Sequence, residues 1–140
     1  MLSQIVMSLI VEIGASGIAA LIGAVVIGLV TKLVLKFTPS YGIRYLAAFC
    51  GYIPLFVGRF LLAEFLGPDL AENTTALLMP ITLIVVVWIV LQAAIYAVII
   101  KGPQKSYIGL SSALEISFYH CAILAMFGVI IAVLRRFLIK

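Results

Sequence analysis

The stretch EIGASGIAALIGAVVIGLVTKLVLK, residues 12–36, decides the fold because it carries two patterns at once. Most of it is Ile, Leu, Val, Ala and Gly, an apolar run long enough to cross a bilayer as one helix. Every fourth residue departs from the bulky apolar pattern: Glu12, Ser16, Ala20, Ala24, Gly28, Lys32 and Lys36. The stretch therefore predicts a membrane helix that carries a narrow small-residue stripe between charged ends.

The middle of this stripe predicts how the helix packs. Its small members, in consecutive small-xxx-small steps, are Ser16, Ala20, Ala24 and Gly28. Lipid chains give helices no hydrophobic drive to associate, so contacts depend on small residues that let two backbones approach closely. We predict tight packing along these four residues, against either the second helix of the same chain or the first helix of another copy.

The composition of the whole chain indicates the same environment for the rest of the molecule. Of its 140 residues, 66% are hydrophobic and only 10% are charged. A soluble domain has about 45–50% apolar and about 25% charged residues. Because a globule of this size leaves much of its surface in water, the apolar excess is too large for one buried core. Lipid is the predicted solvent of most of the chain.

Four apolar runs reach the roughly 20 residues that a helix needs to cross a bilayer. Short connectors rich in Pro and Gly separate them, which favours antiparallel neighbours. The predicted fold is all-α: a polytopic integral membrane protein, one domain of four transmembrane helices, the first unusually long. The predicted helices are residues 2–36, 43–66, 75–100 and 108–136.

The net charge of +4 does not indicate a nucleic-acid partner, because the basic residues lie at the ends of the apolar runs. Connectors one and three carry five of them: Lys32, Lys36, Arg44, Lys101 and Lys105. The opposite side carries four: Arg59, Arg135, Arg136 and Lys140. The positive-inside rule then predicts, by this narrow margin, that connectors one and three are cytoplasmic. The predicted location is a bacterial inner membrane.

Glu12 is open to two interpretations. If the bilayer ends at Lys32, about 20 residues back reaches Glu12, and its carboxylate is interfacial and structurally paired. If the first helix is strongly tilted, the carboxylate is submerged, and such a group usually marks a pathway or a proton site. In either case Arg59, expected at a similar depth, is its predicted ion-pair partner.

A second polar cluster is predicted between the third and fourth helices. Helical spacing and depth could bring its members into one inward-facing patch: Gln92, Tyr96, Glu115, Tyr119 and His120. One interpretation is a proton relay or a polar cargo site, since histidine titrates near neutral pH. The other is an interhelical hydrogen-bonded clasp.

The chain contains no motif of an enzyme active site. It has no phosphate-binding Gly loop, no HExxH and no nucleophile elbow, and Cys50 and Cys121 lack metal-ligand spacing. We therefore expect no catalytic residue, no cofactor and no metal. The predicted partners are the lipid bilayer and other membrane subunits or copies of this chain.

The predicted function is that of a non-enzymatic structural or assembly subunit of a larger membrane complex. The alternative is a small oligomeric transporter or a flippase of lipid-linked substrates, coupled to protons through Glu12. In its size, in that carboxylate and in its weak Lys/Arg bias, the chain resembles the small four-helix multidrug exporters. It departs from them in the length of its first helix and in lacking an aromatic box.

Overall fold

The structure, a computed structural model, describes the backbone of residues 2–66 and 74–138 and the side chains of residues 6–58 and 81–138. Within these residues the chain forms four helices: α1 (Leu2–Leu35), α2 (Tyr41–Leu66), α3 (Thr74–Ile99) and α4 (Leu110–Leu138). The all-helical prediction is confirmed, and the ends of the predicted segments differ from those of the helices by at most two residues. α1 is the longest helix, with 34 residues.

Three of the helices contain, among the described residues, a segment long and apolar enough to cross a membrane. These segments are Val6–Leu35 of α1, Ile81–Ile99 of α3 and Leu110–Leu138 of α4. Apolar helices of this length indicate a membrane location, since about 20 residues suffice for a hydrocarbon core of about 30 Å. The segments of α1 and α4, with 30 and 29 residues, exceed that requirement.

The helices form a closed ring in chain order. α1 contacts α2, α2 contacts α3, α3 contacts α4, and α4 contacts α1. Across the two diagonals, no pair of Cα atoms in the described residues lies within 8 Å. The centre of the ring is therefore filled by side chains, and it is there that the helices place their polar groups.

The two described connectors are short turns. α1 ends before Lys36, whose φ of 58° lies in the left-handed region that commonly terminates helices. Between α3 and α4, Lys101 and Tyr107 form an isolated antiparallel bridge, and the Gly102 amide donates to the Ser106 carbonyl at 2.8 Å. The connector between α2 and α3 lies outside the described residues.

The ring is packed tightly at one end only. We call the packed half residues 16–31 of α1, 41–52 of α2, 88–100 of α3 and 110–120 of α4; it holds the buried residues of the described helices. We call the open half residues 6–14 of α1, 81–87 of α3 and 125–138 of α4, none of which is buried. All fourteen residues of α4 in the open half are exposed, which at 3.6 residues per turn leaves every face of that helix uncovered.

Candidate functional site

The small-residue stripe of α1 is buried within the chain, and its second half lies against α2. Ser16, Ala20 and Ala24 are fully buried, and Gly28 is buried with them. Of the two partners that the sequence left open, α2 of the same chain lies at Ala24 and Gly28, where Arg44 is placed. The close approach has a direct consequence, because it brings polar side chains of α2 within reach of the α1 backbone.

Three side chains from the start of α2 donate hydrogen bonds to main-chain carbonyls of α1. The Tyr45 hydroxyl reaches the Gly17 carbonyl at 3.3 Å, and the Tyr41 hydroxyl reaches the Leu21 carbonyl at 3.3 Å. The Arg44 guanidinium donates through Nη1 to the Ala24 carbonyl at 3.1 Å. All three acceptors lie within residues 17–24, so the start of α2 lies against the middle of α1.

Arg44 packs against the α1 backbone, whereas its position in the sequence suggested only a place at the membrane surface. Its Nη1 occupies the space that a Cβ at Gly28 would fill, and its guanidinium lies 5.4 Å from the centre of the Tyr41 ring. The absence of a side chain at Gly28 therefore lets a cation from α2 lie directly on the α1 backbone.

His120 lies at the centre of the ring and joins three helices. It is fully buried on α4, and both of its ring nitrogens have partners. The Tyr52 hydroxyl of α2 lies 2.9 Å from Nε2, and the Tyr96 hydroxyl of α3 lies 2.6 Å from Nδ1. A neutral imidazole has one donor and one acceptor nitrogen, so one tyrosine donates to the ring and the other accepts from it. We call these three residues the histidine core.

A second set of hydrogen bonds surrounds the histidine core. Ser117 of α4 donates to the Gln92 side-chain oxygen at 2.7 Å and lies 3.0 Å from the Ile89 carbonyl. Trp88 of α3 donates through its indole N–H to the Gly51 carbonyl of α2 at 2.7 Å. These contacts tie α3 to both of its neighbours at the level of His120.

Two members of the histidine core, Tyr96 and His120, lie inside the apolar spanning segments of α3 and α4. Counting 1.5 Å per residue, His120 is about 15 Å from the start of α4, Tyr52 about 16 Å from the start of α2, and Tyr96 about 5 Å from the end of α3. A hydrocarbon core is about 30 Å thick. Polar and ionisable side chains at this depth are rare in membrane helices and by default indicate a functional site.

The structure brings together three members of the predicted polar patch and separates two. Gln92, Tyr96 and His120 are fully buried and adjacent. The prediction that Glu115 and Tyr119 join them is wrong, because both side chains are exposed. The physical reason is helical phase. Tyr119 lies about 100° around α4 from His120, so both cannot face the centre of the ring.

The predicted pair of Glu12 and Arg59 is only partly visible. Glu12 is half-buried on α1, within the open half. Arg59 lies on α2, but its side chain is outside the described residues. Their pairing stays a prediction.

An apolar cleft of about 400 Å³ adjoins the histidine core on the side of the open half. All four helices contribute to its walls, through residues that include Ala19, Tyr52, Phe56, Trp88, Cys121 and Ala125. Known ligand pockets have this size and this mainly apolar lining. The polar atoms of its two largest aromatic residues point elsewhere, since Tyr52 contacts His120 and Trp88 donates to Gly51.

Sequence reasoning missed Tyr52, Ser117 and Trp88 as parts of this site. Ser117 had a usable signal, because it lies three residues before His120 and so shares its face. A buried Tyr or Trp usually finds a partner for its polar atom, which is also a general signal. Nothing local, however, identifies a partner on another helix.

Comparisons of the chain with protein-family models, curated proteins and solved structures found no match. Among the residues that the structure describes, no group of three His, Cys, Asp or Glu residues is placed to hold a metal ion.

Proposed function

We propose that this chain is a non-enzymatic, structural or assembly subunit of a larger membrane complex. The observation that carries the proposal is the uncovered outer part of α4. Over residues 125–138 this helix is exposed on every face, although its apolar length exceeds one bilayer crossing. A second membrane-spanning helix seated there would cover surface that the chain itself leaves bare.

The residues of this surface suit a close helix contact. Gly128 and Ala132 are exposed and four positions apart, and no atom lies within 4 Å of where a Gly128 Cβ would be. Small residues at this spacing let another backbone approach. The corresponding stripe on α1 is already buried within the chain, whereas this pair on α4 remains accessible.

The proposed topology has four crossings in a bacterial inner membrane, with α2 as the additional span and connectors one and three in the cytoplasm. α2 supports this because it has 26 residues and packs beside α1 and α3, both of which contain spanning segments. If α2 crosses, the connectors that precede and follow the α2–α3 pair lie on the same side of the membrane.

Labelling of single cysteines tests this topology. In a chain with Cys50 and Cys121 changed to Ala, Ser40→Cys and Gln104→Cys, both exposed positions, should be protected from a membrane-impermeant maleimide in intact cells. Both should react after the cells are opened. Labelling of only one in intact cells would contradict the fourth crossing, and labelling of both would contradict the orientation.

Purification of the full chain from its native membrane in a mild detergent tests the assembly role. We expect unrelated membrane proteins to co-elute in constant ratio, as identified by mass spectrometry. Ala132→Leu and Gly128→Leu should move the chain to a smaller species on a sizing column, because a bulky side chain prevents close backbone approach.

Ala122→Leu is the matched control for this experiment. Ala122 is also exposed on α4, but about 80° around the helix from Ala132. The control should retain the complex. A chain that elutes only as a lone homo-oligomer, or a complex that survives both substitutions at Gly128 and Ala132, would contradict the assembly role.

A small oligomeric transporter, including a flippase of lipid-linked substrates, is the second candidate. The histidine core favours it, because an ionisable imidazole inside an apolar spanning segment, hydrogen-bonded to two hydroxyls, is a group suited to proton transfer. Glu12 would be a further proton site on α1. The purification separates the candidates, since a stable set of unrelated partners supports the subunit and a lone homo-oligomer supports the transporter.

A further inference from the structure

The net charge of the chain is concentrated at one end of the bundle. Residues 32–44 and 101–115, which include connectors one and three, carry five basic residues and one acidic residue: Lys32, Lys36, Arg44, Lys101, Lys105 and Glu115. The rest of the chain carries four of each: Arg59, Arg135, Arg136, Lys140, Glu12, Glu64, Asp69 and Glu72. The net charge of +4 therefore belongs entirely to these two segments.

The two connectors meet in one buried cluster. Ile100 and Ile108 of connector three belong to the same cluster as Val30 of α1. Phe37 of connector one packs against that cluster. Four lysines of this end are exposed, whereas the Arg44 guanidinium is engaged on the α1 backbone. We call the exposed four the lysine surface: Lys32, Lys36, Lys101 and Lys105.

The local structure does not account for the whole lysine surface. The C-terminal ends of α1 and α3 favour a nearby cation, which accounts for Lys32, Lys36 and Lys101 but not for Lys105. Lys36 and Lys105 each have a φ of 58°, and among the described residues they are the only non-glycine residues with a positive φ. Glycine or asparagine adopts this conformation more readily than lysine. A charge that the fold does not require indicates an anionic partner outside the chain.

The height of the lysine surface favours lipid headgroups as that partner. Lys32 lies within the spanning segment of α1, and Lys101 follows the segment of α3 by two residues. The bridge of Lys101 with Tyr107 folds connector three back, so Lys105 lies at most about 7 Å beyond the bridge. The headgroup layer is about 5–7 Å thick on each side of the bilayer. The Lys101 ammonium also lies 5.1 Å from the centre of the exposed Tyr107 ring, and tyrosine is typical of this layer.

We propose that the lysine surface binds the headgroups of anionic phospholipids. Lipid phosphates are the anions at its height, and ammonium groups form charge-assisted hydrogen bonds with phosphate oxygens. A basic residue beside a spanning helix favours an anionic lipid about fivefold. The inference requires that the helices span a membrane, but it rests neither on the assembly role nor on the orientation of the chain.

Fluorescence quenching at connector three tests the proposal. The full chain with Cys50 and Cys121 changed to Ala carries one dye at Gln104→Cys, an exposed position beside Lys105. It is reconstituted into phosphatidylcholine vesicles that contain a small fraction of phosphatidylglycerol or phosphatidylcholine bearing the same nitroxide near the top of one acyl chain. Half-maximal quenching is expected at an about fivefold lower fraction of nitroxide-labelled phosphatidylglycerol. In about 1 M salt, where the screening length is about 3 Å, this preference should largely disappear.

Two double variants separate the charge from the backbone conformation. Lys36→Asn with Lys105→Asn removes two charges and suits a positive φ, so the chain should unfold at the same or a higher SDS concentration. The preference for phosphatidylglycerol should fall to about twofold or less. Lys36→Arg with Lys105→Arg, the matched control, should keep it. Equal quenching by the two lipids in the chain with both lysines, or an unchanged preference in the double Lys→Asn variant, would overturn the proposal.

An acidic peptide distinguishes a lipid from a protein partner. Soluble octaglutamate, added at micromolar concentration to the same vesicles, should leave the quenching by nitroxide-labelled phosphatidylglycerol unchanged. If the peptide displaces this lipid, the lysine surface belongs to an acidic protein segment, and the lipid assignment is wrong.

Discussion

The His120→Ala variant is expected to lower the free energy of unfolding by about 3–6 kcal/mol, measured by SDS titration in mixed micelles. Two effects add. Truncation of a large buried side chain to Ala costs about 2–5 kcal/mol where the site cannot collapse. The variant also loses the contacts of His120 with the Tyr52 and Tyr96 hydroxyls, and interhelical hydrogen bonds in membranes contribute about 0.6 kcal/mol each.

Tyr119→Ala is the matched control, because Tyr119 is the neighbour of His120 in sequence but is exposed. It should change the free energy of unfolding by less than about 1 kcal/mol. Tyr52→Phe and Tyr96→Phe should each cost about 1 kcal/mol in the wild-type background and clearly less in the His120→Ala background. Equal losses of unfolding free energy in Tyr119→Ala and His120→Ala would contradict the histidine core. So would tyrosine substitutions whose effects simply add to that of His120→Ala.

Gly23→Ala should lower the free energy of unfolding by about 1–3 kcal/mol, the usual cost of overpacking, in the same SDS titration. An added Cβ would lie 2.5 Å from the Tyr52 hydroxyl oxygen and 2.9 Å from two of its ring atoms. Tyr52 is held from the other side by His120, so the ring can give way only by losing that hydrogen bond.

Gly14→Ala supplies the control for this change, because no atom lies within 4 Å of a Cβ built there. Ala forms helix more readily than Gly, so Gly14→Ala should be neutral or stabilising by up to about 1 kcal/mol. A Tyr52→Ala background should remove the cost of Gly23→Ala, since the colliding ring is then absent. If Gly23→Ala still lowers the free energy of unfolding in this background, the added Cβ collides with atoms other than those of Tyr52.

The helices could be predicted from the sequence because membrane insertion depends on local composition. Apolar runs of about 20 residues, separated by Pro and Gly, indicate spanning helices whatever their partners are. The small residues at every fourth position from Ser16 to Gly28 likewise predict a close helix contact, and that prediction needs the sequence of α1 only. Which helix would supply that contact could not be predicted, because Arg44 and Tyr45 bind carbonyl oxygens that every residue has.

The site was predictable only in part, for a reason of helical phase. Gln92 and Tyr96 are four residues apart and share a face, so their placement together followed from spacing. Around His120 the choice was between Tyr119, its neighbour in sequence, and Ser117, which shares its face. Depth arguments cannot make that choice, because neighbouring residues differ in depth by only about 1.5 Å.

The asymmetry between the two ends of the bundle could not be predicted either. An amphipathic pattern normally indicates the covered face of a helix, but residues 125–134 of α4 contain no polar side chain. Nothing in residues 125–134 therefore indicates that every face is exposed, although the buried positions of α4 all lie within residues 110–120.

The contacts between α1 and α2 have a consequence for the order of events during biosynthesis. The bonds from Tyr41, Arg44 and Tyr45 to α1 carbonyls join residues only 20 to 28 positions apart, whereas Tyr52 and His120 are 68 apart. Chains fold from the N-terminus as they leave the ribosome. α1 and α2 can therefore pack together while α4 is still being translated, and the hydrogen bonds of His120 form last.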